Sequence, residues 1–396
     1  MENSLDQGAR GGATEAYEVV RRRESPTSSN AEPGDLPQPN HIWTVILAGG
    51  VGSRFWPVST PSRPKQILPL ASEQPLIRDT VERILPLVPQ DRLRILTGAH
   101  LAEPILGAVP GLEPGNFLLE PRAAGTAPVL AWAASELERR DPDAVMVSLH
   151  ADHVIHPAEA FRQLIADAAE LAVEHGRLFT IGANPTRPET GYGYIRLGPP
   201  VADAEREEAP REGRAVGYEV ARFVEKPDRA TADEYLASGE YLWNTGLFVW
   251  RAADLLDQLE RFTPELAALI PVLREGGTEE FFRRAPTLSI DEGLLERSDR
   301  VGVVKATFDW DDVGAWDAVY RTRPADAQGN VTLGEAYAVE SRGTALYADD
   351  GPIVAFGVED LIVVRTAGVT FVAHRDRAPE LKSLLAKLPE ELRTLD

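Results

Sequence analysis

From Ile42 onward, short apolar runs alternate with longer stretches of helical period. Val45-Ile46-Leu47 precedes a helical pattern over 76–87, Arg94-Ile95-Leu96 one over 101–106, and Phe117-Leu118-Leu119 one over 126–137. The rhythm continues with an apolar run at 144–149, a helix over 157–175 and a further run at 178–182. Apolar runs this short, bounded by polar turns, are buried strands, and strands that alternate with helices pair in parallel with the helices crossing over both faces. The pattern predicts an α/β fold built on a doubly wound, mixed, mainly parallel sheet.

The pattern changes twice further along. Tyr194-Ile195-Arg196-Leu197 and the run 218–224 flank a charged loop, which suggests strands laid over a binding site. Beyond about 325 the helical periods thin out, and short apolar runs at 330–333, 344–347, 353–356 and 361–364 are separated by Gly/Asp turns before a last helix near 379–388. A small β-rich C-terminal domain is expected at 325–396, after a main domain at 41–324. Residues 1–40, rich in Gly, Ser, Glu and Pro and without apolar period, read as a disordered extension dispensable for catalysis.

Composition narrows the chemistry. The chain has 396 residues, 43% apolar, enough for a large core. It has no cysteine, which excludes disulfides and thiolate catalysis and removes the preferred ligands of structural zinc. A formal charge of −21 argues against a nucleic-acid surface, which needs basic patches. The absence of an apolar run long enough to span a bilayer leads to the expectation of a soluble, cytoplasmic protein with no membrane partner.

The richest chemistry lies in Leu47-Ala48-Gly49-Gly50-Val51-Gly52-Ser53-Arg54, which follows the first strand and is followed by Pro64-Lys65. Glycines let backbone N–H groups converge on phosphate oxygens, and Arg54 and Lys65 add full charges. The spacing is neither that of a dinucleotide fold nor that of a P-loop. The bland alternative is a tight strand-to-helix turn. Asp152, in Ser148-Leu149-His150-Ala151-Asp152-His153, falls just past the strongest central strand, where an open α/β sheet places ligand chemistry. Its carboxylate suits Mg²⁺, against the alternative of a helix cap. His150 and His153 lack a third clustered His or Cys and read as packing or supporting groups. The acids of Phe308-Asp309-Trp310-Asp311-Asp312-Val313-Gly314 offer a second carboxylate, or an acidic solvated turn. Tyr192, Gly193, Glu225, Lys226, Asn244 and Gly246 combine backbone access, hydroxyl acceptors and a cation, as a hydroxyl-rich, anionic ligand needs. Singly, each is equally a turn or a surface ion pair.

These motifs together resemble the sugar-1-phosphate nucleotidyltransferases, whose signature is L-A-G-G-x-G-x-R-L-x-P followed by P-K, with Phe55 here at the leucine position. Phe55-Trp56-Pro57 and Pro64-Lys65-Gln66 are most similar to the mannose-1-phosphate guanylyltransferases. The segments 190–195, 223–227 and 243–248 match that family's G-Y-G-Y-I, F-V-E-K-P and W-N-[ST]-G-x-F elements in order, and 309–316 matches D-W-x-D-V-G-x-W.

The resemblance implies transfer of GMP from GTP to mannose 1-phosphate with release of pyrophosphate, using Mg²⁺ held by Asp152 and Asp312, with Asp309 a competing choice for the second ligand. It implies catalytic roles for Arg54, Lys65, Asp152 and Asp312. Nucleotide contacts fall on Leu47, Gly49, Gly50, Gly52, Ser53, Gly125 and Thr126, and the C-terminal domain becomes a short β-helix-like cap. A homodimer is allowed, and the chain ends before the isomerase domain of the two-activity members would fit. One departure weakens the guanine inference: where the family has R-N-T-A-P, this chain has Ala124 and Gly125 before Thr126, leaving Arg122 as the stand-in side chain. Two alternatives stay open: an enzyme for another NTP or hexose 1-phosphate, and a catalytically silent sugar-nucleotide sensor.

Overall fold

In a computed structural model, residues 41–50, 52–201, 214–366 and 368–393 are described; the expected N-terminal extension and most of the charged loop before residue 214 lie outside them. The first strands are β1 (Ile42–Leu47), β2 (Leu93–Gly98), β3 (Phe117–Glu120) and β4 (Val145–His150), all mutually parallel in the order β3-β2-β1-β4. Alternate residues of β1 feed opposite cores, as period-two geometry requires. Ile42 and Ile46 pack with α1 (Leu76–Ile84) and α2 (Ala99–Ala108) on one face, while Trp43 and Val45 pack with α3 (Thr126–Glu138) on the other. Such a strand, buried on both faces, has no polar alternation. The alanines of α3 allow it to lie close to the sheet, with ten of its thirteen residues buried.

The chain continues through β5 (Val154–His156), the eighteen-residue α4 (Ala158–His175), capped by left-handed Gly176, and β6 (Leu178–Ala183). Strands β7 (Gly193–Pro200) and β8 (Gly217–Glu225) then form an antiparallel pair. The helix α5 (Arg229–Ser238) leads to the long β9 (Tyr241–Arg251), and α6 (Ala252–Phe262) and shorter helices lead to β10 (Val301–Lys305). Among the described residues the main sheet has nine strands in the order β3-β2-β1-β4-β9-β6-β10-β8-β7.

Seven of these strands run one way. β9 and β8 run against them, and β9 sits at the centre, between β4 and β6. The expected mixed, mainly parallel sheet is therefore present, but the sequence pattern does not reveal the reversed central strand. A strand buried on both faces reads the same in either direction.

A two-stranded ribbon does most to assemble the site. β11 (Asp309–Asp311) pairs antiparallel with β5, placing Trp310 opposite Ile155 and Asp311 opposite Val154. Residues 309–312 are thereby fixed beside the end of β4. After the helix Trp316–Thr322 come β12 (Val331–Val339), β13 (Ala345–Phe356), β14 (Leu361–Thr366) and β15 (Val369–His374), the first three parallel and the last antiparallel. Gly334 is required here: with φ +72°, a Cβ on it would lie 2.0 Å from the Ala348 carbonyl oxygen.

The expected last helix is broken, with a six-residue 3₁₀ helix at Arg375–Glu380 running into a helix at Leu381–Leu385 and another at Glu390–Arg393. Pro389, which lacks the N–H that would continue a helix, sits at the break before Glu390. The cap shares one apolar core with the main domain, in which Phe55, Trp56 and Trp316 pack with Val331, Tyr347, Phe371 and Leu381.

Candidate active site

A cavity of about 620 Å³ opens at the carboxyl ends of β1 and β4. Because these strands are parallel neighbours, the segments leaving them stay together: Ala151 N–H donates to the Leu47 carbonyl (3.0 Å) and Ala48 N–H to that of Leu96 (2.9 Å). Gln66 Nε2 (3.1 Å) and Thr97 Oγ1 (2.8 Å) both donate to the Ala48 carbonyl and pin the start of the glycine turn. Gly52 adopts φ +77° at the head of the turn Ser53–Phe55, and a Cβ there would meet Lys65 Cβ at 2.3 Å. The glycine is thus required by both its conformation and the close approach of Lys65. Val51 lies outside the described residues.

Lys65 is the hinge of the site. Its buried ammonium contacts Asp152 Oδ2 at 2.7 Å and donates to the Asp312 carbonyl at 2.9 Å. Burial pushes the Asp152 carboxyl up, but Lys65, His153 and His150 outweigh it and bring it down to about 2. Asp312 titrates above its ordinary range, chiefly through desolvation and despite Lys65 and the hydroxyl of Tyr192. Its Oδ1 accepts from Tyr192 Oη and from Gly314 N–H (3.1 Å). Val313 is held at φ +48°, a strained conformation for a β-branched residue, in the turn that presents Asp312.

The neighbouring acids sort themselves. Asp311 accepts both Arg321 Nε (2.8 Å) and Nη2 (3.1 Å) and the Val313 N–H (2.8 Å), which turns it away from the cavity. Asp309 is exposed and does not line the cavity, so as the competing choice it is set aside; Asp312 does line it.

Ligand atoms of His150, Asp152 and His153 lie within 4.8 Å of one another, a second arrangement to test for a metal. Trp310 Nε1–H donates to His153 Nδ1 at 3.1 Å. A neutral His153 must then carry its proton on Nε2, and neither ring nitrogen retains a free lone pair. Burial holds both histidines below their ordinary range, His153 far below. His153 therefore has no nitrogen left for an ion, its ring packs 4.6 Å from that of His150, and Asp152 and Asp312 are the oxygen donors that suit a hard cation.

All the residues expected at the nucleotide line this one cavity: Leu47, Gly49, Gly50, Gly52, Ser53, Arg54, Lys65, Gly125, Thr126, Asp152 and Asp312. None of the six expected at the sugar does so; they form an adjoining group joined to it at two points. Tyr192 reaches Asp312, and Gly246 (φ +70°) passes so close to His150 that a Cβ would lie 2.8 Å from Nε2. Within this group Glu225 pairs with Lys226, and Gly193 leaves room for Glu225 Oε2, 2.7 Å from where its Cβ would stand. Asn244 accepts from Thr180 Oγ1 (2.8 Å) and donates to Asp291 Oδ1 (2.9 Å).

Asp291 was invisible in the sequence, an ordinary acid in Ser289-Ile290-Asp291-Glu292. Only the tertiary fold brings it to Asn244 and Glu225, where desolvation and the Glu225 charge raise it to about 6. Lys382, on the cap helix Leu381–Leu385, also lines the cavity and was likewise unforeseen.

The departure at 122–126 resolves in part. Gly125 has φ +80°, and a Cβ on it would strike the Leu288 carbonyl oxygen at 2.4 Å. The glycine thus serves close backbone packing, while Thr126 Oγ1 accepts from Ile290 N–H at 2.8 Å. Arg122 does not stand in for the missing side chains: it donates to the carbonyls of Phe282 (2.7 Å), Ala285 and Ala123 (3.1 Å), and lies outside the cavity wall.

A glycine cradle, a buried lysine and two carboxylates lining one cavity at the carboxyl edge of an α/β sheet define a nucleotide-handling transferase. The nucleotidyl transferase family matches residues 43–329, and a MannoseP isomerase/GMP-like beta-helix domain matches 334–388. The mannose-1-phosphate guanylyltransferase of Escherichia coli is 37% identical over 361 residues, covering 88% of this chain and 74% of that protein. The xanthan biosynthesis protein XanB of Xanthomonas campestris is 36% identical, covering 88% and 73%. A crystal structure described as mannose-1-phosphate geranyltransferase from Thermus thermophilus superposes with a TM-score of 0.77 at 35% identity, covering 88% of this chain and 99% of that one. The chain belongs to the nucleotidyl transferase family, among its mannose-1-phosphate guanylyltransferases.

Proposed function

We propose that the chain transfers GMP from GTP to α-D-mannose 1-phosphate, giving GDP-mannose and pyrophosphate. The observation that carries this reading is Lys65 held between Asp152 and Asp312 against the glycine turn. The reaction is an in-line attack of a sugar-phosphate oxygen on the α-phosphorus, and the attacking group is already an anion. No protein base is needed. Positioning and charge stabilisation must do the work.

The backbone of Gly49, Gly50, Gly52 and Ser53 cradles phosphate, and Arg54 and Lys65 offset the charge that grows on the leaving pyrophosphate. Asp152 and Asp312 would hold Mg²⁺, which supplies charge neutralisation across the phosphates. Gly125 and Thr126 border the nucleoside. Tyr192, Gly193, Glu225, Lys226, Asn244 and Gly246 hold the sugar phosphate, and the Tyr192 hydroxyl ties that group to Asp312.

We place the domain boundary at 324/325, between the helix Trp316–Thr322 and β12. No helix among the described residues is long and apolar enough to cross a membrane, and the net charge of −21 supports a protein without a nucleic-acid partner. A cytoplasmic location and a homodimer complete the proposal.

The departure at Ala124 and Gly125 favours one second reading, an enzyme of the same class with another NTP or hexose 1-phosphate. Incubation with each NTP, mannose or glucose 1-phosphate and Mg²⁺, with product analysis, decides between them. If no nucleotide sugar forms from any pair, the catalytic reading fails and a sugar-nucleotide sensor takes its place.

A further inference from the structure

Trp56, the aromatic residue of the glycine-turn signature, has no role in phosphate chemistry, yet the cap is built around it. Its Nε1–H donates to the Leu392 carbonyl at 2.8 Å, its own carbonyl accepts Trp316 Nε1–H at 2.9 Å, and its ring meets Phe371 edge-on at 5.9 Å. Leu381, buried in the same core, anchors the helix Leu381–Leu385 against the turn Ser53–Phe55. The next residue, Lys382, is thereby delivered to the wall of the nucleotide cavity.

Six ionisable side chains other than histidine line the cavity: the acids Glu120, Asp152 and Asp312 and the cations Arg54, Lys65 and Lys382. Lys65 is committed to Asp152 and the Asp312 carbonyl. Arg54 and Lys382 make no hydrogen bond or ion pair among the described residues, in a protein whose net charge is −21. The chain contains only five lysines, and two of them line this cavity. Two unpaired cations in a strongly acidic protein, facing a cradle of backbone N–H groups, are matched to a polyanion.

We propose that Lys382, carried by the C-terminal cap, binds the two terminal phosphates of the nucleoside triphosphate, so that the cap is part of the active site and the Trp56 anchor is what places it. The inference rests on the cavity being the triphosphate site. In-line displacement puts the leaving pyrophosphate on the side of the α-phosphorus opposite the sugar phosphate. The sugar group joins the cavity at Asp312 and His150, whereas Lys382 stands with Ser53 and Arg54. Lys382 therefore acts on the leaving group and leaves the sugar phosphate untouched.

The test is equilibrium binding to the full chain, by calorimetry, of GTP, pyrophosphate and GDP-mannose one at a time, so that no turnover occurs. Lys382→Gln should weaken GTP and pyrophosphate about tenfold, the scale of one charge-assisted contact to phosphate, and leave GDP-mannose within twofold. Lys382→Arg should restore most of the loss. Lys387→Gln, a change on the same segment outside the cavity wall, should match wild type.

Lys382 is exposed, so its variants fold, and an unchanged melting temperature confirms that. A change below twofold for GTP overturns the proposal while the nucleotidyl-transfer reading stands. Equal weakening of GTP and GDP-mannose overturns it as well, since the cap would then act on the cavity as a whole. If the wild type binds no nucleotide at all, both readings fall together.

Discussion

Asp291→Asn offers the sharpest check on how the sugar side is built. Asp291 is a largely desolvated carboxylate whose Oδ1 accepts the Asn244 amide and whose charge faces that of Glu225. Desolvation first, and Glu225 second, raise it from 3.8 to about 6. A carboxyl raised in the folded state stabilises the fold fully below pH 3.8, and that contribution is lost as pH rises through about 6.

At 1.36 kcal/mol per pH unit, keeping Asp291 ionised at neutral pH costs the fold up to about 3 kcal/mol, and partial contact with water reduces this to about 2. The asparagine variant keeps an acceptor for Asn244 and has nothing to ionise. Thermal melts of both proteins from pH 4 to pH 8 should start together and then diverge. The variant should become the more stable by a few degrees above pH 7. It should also bind mannose 1-phosphate less well, because a carboxylate kept at such a cost is expected to serve the ligand. A stability difference that stays constant from pH 4.5 to pH 7.5 would refute the desolvated placement of Asp291 beside Glu225.

Asp152→Asn and Asp312→Asn should each lower kcat by roughly 10²-fold or more, with kinetics followed across a Mg²⁺ titration. Asp311→Asn should instead lower the melting temperature, by loosening Arg321 and the Val313 turn, without raising the Mg²⁺ requirement; the reverse ranking of 311 and 312 would reassign the ligand. Gly52→Ala should fold poorly or lose phosphate affinity, since its Cβ would overlap Lys65 at φ +77°, and a wild-type KM for GTP in a stable variant would contradict the tight turn. Truncation before Asn40 should change kcat/KM by less than tenfold, about 1.4 kcal/mol, as measured on the purified shorter chain.

The strand and helix alternation, the glycine turn and the ordered motifs are legible in the chain's residues, because each is local. Apolar period reports burial within a segment, and positive φ at Gly52 or Gly125 leaves a residue type that can be read directly. That Gly49, Gly50, Gly52, Ser53, Arg54, Lys65 and Asp152 would share one cavity was legible for the same reason: all sit just beyond the ends of predicted strands or in a fixed motif. The choice of Asp312 over Asp309 was implied by the family pattern and takes physical form in the β5–β11 ribbon, whose turn points Asp312 inward and leaves Asp311 to Arg321.

The features that emerge only on packing are long-range. The antiparallel course of β9 through the middle of the sheet has no signature in a strand buried on both faces, yet it carries Asn244 and Gly246 to the cavity edge. Arg122, which the sequence offers as a stand-in side chain at the nucleotide, is spent on backbone carbonyls 160 and 163 residues away. Asp291 and Lys382 lie in unremarkable stretches, and their meaning comes from what the fold sets opposite them: Glu225 and Asn244 for the one, the phosphate cradle for the other. Charge and desolvation at a site depend on distances through space, and a chain fixes those only once it has packed.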